Sequence, residues 1–210
     1  MTNRSGEYKN QTTAFYDASV SSYKEQTIGL QEVVWINKFA RFLPTDAKTL
    51  DIGCGYGRDC NFFSSQGFQS YGVDLSVKMI EAAREFDPKT NFQIMDMMSL
   101  DFDSDFFNGI WCNAALLHLK KADAIIALNE FKRVLKNDGI LFLGLKAGEG
   151  EKYIEDDRYG GVQKFYSYYS QPEIENLLKS VGFNLIDVEY VHKPSSSYSR
   201  ADKICLIAQK

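Results

Sequence analysis

From residue 49 to residue 146 the chain alternates between two rhythms. Short apolar runs at 49–54, 69–74, 92–95, 108–114 and 140–146 have the length of buried strands. Between them, residues 58–66, 77–86 and 121–135 space their apolar side chains as helices do. In the last of these the spacing is carried by Ala124, Ile125, Leu128, Phe131, Val134 and Leu135. Strands alternating with helices predict right-handed crossovers and a largely parallel sheet. The punctuation agrees. Ser76 is placed to cap the helix at 77–86, Pro88 stops it, and Asn137-Asp138-Gly139 turns the chain into the fifth strand.

The flanks have a different texture. Residues 1–13 are polar and predict a frayed end. Phe15, Tyr16 and Tyr23 bring aromatics into polar surroundings. Residues 28–43 then repeat Leu30, Val33, Val34, Ile36, Phe39, Ala40 and Leu43 in a helical pattern that Pro44 ends. After Lys146 a charged, glycine-rich stretch, 147–161, reads as one long loop. It is followed by the aromatic run Phe165-Tyr166-Ser167-Tyr168-Tyr169. Residues 171–181 predict a helix that Pro172 starts and Gly182 ends. Residues 183–191 and 203–208 predict two last strands, joined by 194–200. No Gly/Ser-rich linker interrupts the chain. It therefore reads as one domain, 1–210, with an N-terminal helical region at 1–46 and an α/β core at 47–210.

Composition narrows the classes. Hydrophobic residues make up 44% of 210, enough for a sizeable core. The net charge of −4, without a basic block, speaks against a dedicated nucleic-acid surface. The four cysteines (Cys54, Cys60, Cys112 and Cys205) have no metal-binding spacing, so no metal site is expected and the thiols read as reduced, in a cytoplasmic protein. The most apolar windows are too short to span a bilayer, so no membrane partner is expected.

Candidate chemistry gathers at Leu50-Asp51-Ile52-Gly53-Cys54-Gly55-Tyr56-Gly57, where a strand turns through three alternate glycines into a helix. Such a turn lets a ligand approach bare backbone. The third glycine comes one residue earlier than in the dinucleotide-binding fingerprint. A second strand ends in Asp74, at about the distance where α/β folds place a ribose-binding carboxylate. Together with Gly72-Val73-Asp74-Leu75-Ser76, this stretch resembles the first two motifs of class I S-adenosylmethionine-dependent methyltransferases.

The resemblance, which covers about residues 49–183, implies a Rossmann-like α/β fold. Its sheet would be mixed and seven-stranded, with helices on both faces and a closing hairpin. It also implies S-adenosylmethionine as cofactor and S-adenosylhomocysteine as product. Gly53, Cys54, Gly55, Tyr56 and Gly57 would cradle the amino-acid head, with Asp51 meeting its ammonium. Asp74 would hold the ribose hydroxyls and Leu75 would lie against adenine. Asp96 and Met97, after the third strand, would read the adenine edge. The end of strand four, with Asn113, would lie beside the transferable methyl group. His118 is a candidate general base, because its ordinary pKa is near neutrality; shaping the pocket is the alternative. The acceptor pocket is expected to include Tyr16, Tyr23, Trp111, Lys146 and Arg158, with the two cations suited to a carboxylate or phosphate. Packing helix against sheet is the ordinary alternative for the aromatics. The expected partner is a small-molecule acceptor. Methylation of RNA at a modified tRNA base, with residues 165–169 as a stacking platform, is one alternative. A non-catalytic cofactor-binding subunit is another. The sequence does not specify an oligomeric state.

Overall fold

The computed structural model describes residues 4–30, 32–156, 162–192 and 201–210. Its strands are β1 (Lys48–Ile52), β2 (Gln69–Asp74), β3 (Asn91–Ile94), β4 (Phe107–Asn113), β5 (Leu135–Lys146), β6 (Glu151–Asp156), β7 (Val162–Ser167), β8 (Asn184–Val191) and β9 (Lys203–Gln209). Seven of them form one sheet in the order β3-β2-β1-β4-β5-β9-β8. Pairing is parallel from β3 to β5, while β9 runs antiparallel to both β5 and β8. The helices are α1 (Arg4–Thr27), α2 (Val33–Ala40), α3 (Arg58–Ser65), α4 (Val77–Phe86), α5 (Lys121–Val134) and α6 (Gln171–Val181).

Successive side chains of a strand point to opposite faces, and here the two faces bury different cores. Ile110 and Cys112 of β4, Leu141, Leu143 and Leu145 of β5, and Ile204, Leu206 and Ala208 of β9 share one core with Leu128 and Phe131 of α5 and Ile174 and Leu178 of α6. The intervening residues, Trp111, Ile140, Phe142, Cys205 and Ile207, join Trp35, Ile36 and Phe39 of α2 and Phe63 of α3 in the other. Helices therefore cover both faces. At the heart of the second core, Trp111 stacks on Phe142 with ring centroids 3.8 Å apart. Such a pair contributes about 0.5–1.5 kcal/mol beyond its buried area.

Most predicted strands and helices recur within two residues of their expected ends; β5 instead starts at Leu135 and takes in the turn expected at 137–139, and three further expectations change. The polar N-terminal stretch is not frayed from Arg4 onward, because it belongs to α1. Polar anchors hold that helix along its length. Tyr8 donates to Asp123 at 2.5 Å, Asp17 accepts from the Ser76 hydroxyl at 2.5 Å, and Arg58 donates to the Thr27 carbonyl at 3.0 Å. The helix expected over 28–43 shrinks to α2. Ile28 and Leu30 lie exposed before it, and past Ala40 the chain tightens into three-residue turns, Phe42 to Phe39 and Leu43 to Ala40. The long loop after Lys146 contains a β-hairpin instead: β6 pairs with β7 from Glu151–Ser167 to Asp156–Val162. The connection expected at 194–200 lies outside the described residues. Among the described residues no helix is long and apolar enough to cross a membrane.

Candidate active site

The sheet order reverses between β1 and β4, so their outgoing chains diverge and leave a crevice at the strands' carboxyl ends. The turn after β1 forms its floor. Gly53, Gly55 and Gly57 all have positive φ, at 71°, 53° and 83°. They face different neighbours. A Cβ on Gly53 would sit 2.3 Å from the Ala115 Cβ, and one on Gly57 would meet the Phe92 ring at 2.6 Å. A Cβ on Gly55 would meet nothing closer than the Tyr23 ring at 3.8 Å and would project into the cleft. The turn is stitched to β2. Gly53 and Cys54 donate to the Val73 carbonyl at 2.8 and 3.1 Å, and Gly55 donates to Asp74 Oδ2 at 2.9 Å.

Asp74 Oδ1 accepts from the Ser76 amide at 2.9 Å, so the carboxylate is oriented before any ligand arrives. Burial raises its pKa from the usual range, and the amides of Ser76 and Gly55 oppose that rise. A carboxylate offers about four acceptor positions, so two remain for hydroxyl donors. Asp96 is oriented in the same way. Its Oδ1 accepts from the Met98 amide at 3.0 Å and its Oδ2 from Lys9 Nζ at 2.5 Å.

The cleft holds about 790 Å³ of empty space, counting the part open to solvent, within the range of small-molecule sites. Of the residues singled out in the sequence it brings together Gly53, Gly55, Asp74, Leu75, Asp96, Met97 and Asn113 with Tyr16, Tyr23 and His118. Lys9, Thr12 and Thr13 of α1 also line it, as does Ala115. Sequence reasoning missed these. A helical spacing of three to four from Lys9 through Thr12 and Thr13 to Tyr16 is the signal that would have found them.

Several expected residues lie elsewhere. Cys54, Tyr56 and Gly57 are buried behind the turn and do not line the cleft, and neither does Asp51 in β1. Burial and the neighbouring Asp59 raise the Asp51 carboxyl well above its usual range. Trp111 is excluded from an acceptor pocket. It is fully buried on the opposite face of the sheet, its Nε1 donating to Asp59 Oδ2 at 3.0 Å. Lys146 does not line the cleft; its ammonium lies 3.7 Å above the Tyr166 ring centroid. Arg158 falls outside the described residues. Phe15 packs in the interior at 1% exposure. The aromatic run after β6 is no stacking platform, since Phe165, Tyr166 and Tyr169 are all buried.

His118 ends a single 3₁₀ turn after β4. Its Nδ1 is 2.8 Å from the Phe165 carbonyl oxygen and its Nε2 is 2.9 Å from the Tyr16 hydroxyl. Desolvation, together with the charges of Lys164 and Lys146, pushes the imidazole down to about 3, against a partly offsetting hydrogen bond to Phe165. Both ring nitrogens are engaged and the ring is a weak base, so this arrangement does not suit His118 as a free-standing general base. Lys164 is itself buried, paired with Asp156 at 3.2 Å and lying 4.0 Å over the Phe15 ring.

Comparison with known proteins agrees with this geometry. Residues 50–143 match a family described as "Methyltransferase domain". The chain is 30% identical to the malonyl-acyl-carrier-protein O-methyltransferase of Salmonella typhimurium, over 45% of this chain and 37% of that enzyme. It is 29% identical to the methyltransferase GfsG of Streptomyces halstedii, over 67% of this chain and 54% of that one. The chain thus spans about a third to a half of the length of these two relatives. In fold it superposes over its whole length on 92% of a Burkholderia thailandensis 1,6-didemethyltoxoflavin-N1-methyltransferase, with a TM-score of 0.78 at 20% identity. With its glycine turn, its Asp74 and its 3-2-1-4-5 strand order closed by an antiparallel pair, this chain has the fold of the class I S-adenosylmethionine-dependent methyltransferases.

Proposed function

We propose that this protein transfers a methyl group from S-adenosylmethionine to a small-molecule acceptor. The observation that carries the reading is one cleft whose floor suits the cofactor and whose far wall is aromatic. The residues fit the group. Gly55 leaves room where any side chain would intrude, and Asp74 has acceptor positions left for a ribose. Asn113 lines the same cleft at the end of β4, beside Gly53 and Ala115. Leu75 would pack against adenine, with Asp96 and the Met97 amide at its edge. When bound, the cofactor supplies an electrophilic methyl group on a sulfonium. The protein's task is to align an acceptor with it and keep water away. Tyr16, Tyr23 and His118 form the wall that does so.

Two relatives support a small acceptor. The Salmonella enzyme is an O-methyltransferase acting on a carrier-bound malonyl group, and the Burkholderia enzyme was crystallised with 1,6-didemethyltoxoflavin and S-adenosylhomocysteine. The burial of the aromatic run removes the feature that favoured RNA. The test follows the methyl group. The protein is incubated with methyl-labelled cofactor and separate metabolite and RNA fractions of a cell extract. Label is expected in the metabolite fraction. Label confined to RNA, or no cofactor binding by calorimetry, overturns the reading.

A further inference from the structure

The far wall of the cleft contains a hydrogen-bond chain whose direction is fixed. The Phe165 carbonyl oxygen can only accept, so His118 Nδ1, 2.8 Å away, carries the proton. A neutral imidazole then leaves Nε2 bare, and the Tyr16 hydroxyl at 2.9 Å must donate to it. The surroundings keep the ring neutral. Tyr16 faces it from α1, Tyr166 at 4.8 Å and Lys164 from β7, and Lys146 from the end of β5, so the charged groups nearest the ring are cations. Asp156 lies beyond Lys164, as its partner. A phenol has one proton, and that of Tyr16 is committed to His118. Tyr16 lines the cleft, so its oxygen can meet a ligand there only as an acceptor.

Resting on the methyl-transfer reading, we infer that Tyr16 accepts a hydrogen bond from the methyl acceptor, and that the acceptor atom is therefore a neutral hydroxyl or N–H rather than a carboxylate or thiolate. A carboxylate oxygen would meet the Tyr16 oxygen lone pair to lone pair. A hydroxyl or N–H completes the chain from acceptor to Tyr16 to His118 to Phe165. As the acceptor atom is methylated, its proton leaves to water in the cleft. His118 stays neutral, and by accepting a hydrogen bond from the Tyr16 hydroxyl it keeps a Tyr16 lone pair turned to the acceptor. Tyr16 touches the acceptor; His118 acts through Tyr16 and is a positioning residue.

The first test needs no substrate. Long-range proton–nitrogen NMR on histidine-labelled full-length protein should show His118 as the Nδ1–H tautomer, with no titration between pH 5 and 8. The Tyr16→Phe variant should shift only its Nε2 resonance strongly. An Nε2–H tautomer, or titration near pH 6.5, overturns the inference. The second test identifies the labelled product of the transfer assay. A methyl ether or N-methyl product is expected, and a methyl ester or thioether overturns the inference. Label in no small molecule at all instead removes the methyl-transfer reading beneath it. With the acceptor identified, Tyr16→Phe should lower kcat/KM about 10-fold, the scale of one lost hydrogen bond. His118→Gln, which keeps an acceptor near the Nε2 position, should retain more activity than His118→Leu. Equal loss in these two variants, or an unchanged rate in Tyr16→Phe, also counts against it.

Discussion

At Gly53 and Gly55, two glycines of one turn have different reasons to be there, and substitution separates them. Gly53→Ala places a Cβ 2.3 Å from Ala115 at a positive φ. It is expected to destabilise the fold by about 1–3 kcal/mol, the scale of overpacking, visible as a lower midpoint in urea. Gly55→Ala shares the positive φ but places its Cβ in open cleft, so it lacks the clash. It should keep more of the stability and lose S-adenosylhomocysteine binding in calorimetry. Asp74→Ala removes an oriented carboxylate and should weaken cofactor binding by about 1.5–3 kcal/mol, as for hydrogen bonds to charged groups. Unchanged affinity in a folded variant contradicts the ribose assignment. The sequence announced these three residues because glycine spacing and a strand-terminal acid are local signals. Trp111 was misread for lack of a face. The period of two in β4 sets it opposite Ile110 and Cys112, a distinction available only once it is known which core each strand face meets.

Among the elements, α1 and the β6–β7 hairpin were the least legible. The buried face of α1, Tyr8, Thr12, Phe15 and Ser19, mixes aromatic with hydroxyl side chains, and hydrogen bonds to Arg58, Ser76 and Asp123 hold the helix as well, so no clean apolar stripe marks it. The sequence of β6 and β7 interleaves charged with apolar residues without a clean period of two, which reads as loop. Beside Phe165 and Tyr166 the hairpin buries an ion pair, Asp156–Lys164, with side chains 6% and 3% exposed. Taking away one partner of a buried pair costs more than replacing both. Lys164→Ala is expected to destabilise by about 3–5 kcal/mol. The double change Asp156→Leu with Lys164→Met should recover most of that loss, as read by denaturant titration. Equal destabilisation by the single and double variants would place the energy in packing on Phe15 instead.

For the whole molecule, layer order and strand sequence were legible because strands and helices alternate with clear periods from 49 to 146, and the sheet follows from that alternation. Its pH response was not, since it depends on which ionisable groups the fold buries. His118 binds a proton below pH 6.5 when unfolded but only near pH 3 when folded. Between those values the unfolded chain holds more protons, so acidification destabilises the fold. At pH 5 the loss from this residue is about 2 kcal/mol. Asp51 acts in the opposite sense: its raised folded pKa relieves a cost as pH falls. Comparing wild type with His118→Gln isolates the first effect. Urea denaturation at pH 7.5 and pH 5 should show the variant losing about 2 kcal/mol less than wild type.

Helix α1 reaches both ends of the cleft. Lys9 grips Asp96, where adenine is proposed to lie, and seven residues on, about 10 Å along the axis, Tyr16 bonds His118, where the acceptor is proposed to lie. On that proposal one rod walls both sites. Whatever free energy one ligand contributes to seating the rod is free energy the other need not supply. The coupling is reciprocal by thermodynamic necessity. The factor by which S-adenosylhomocysteine raises acceptor affinity must equal the factor by which acceptor raises S-adenosylhomocysteine affinity. Lys9→Met, which cuts the rod's hold at one end, should reduce both factors together in paired calorimetric titrations. Exchange of spent cofactor for fresh would then be slowest while acceptor or product remains bound, giving the protein a built-in order of release.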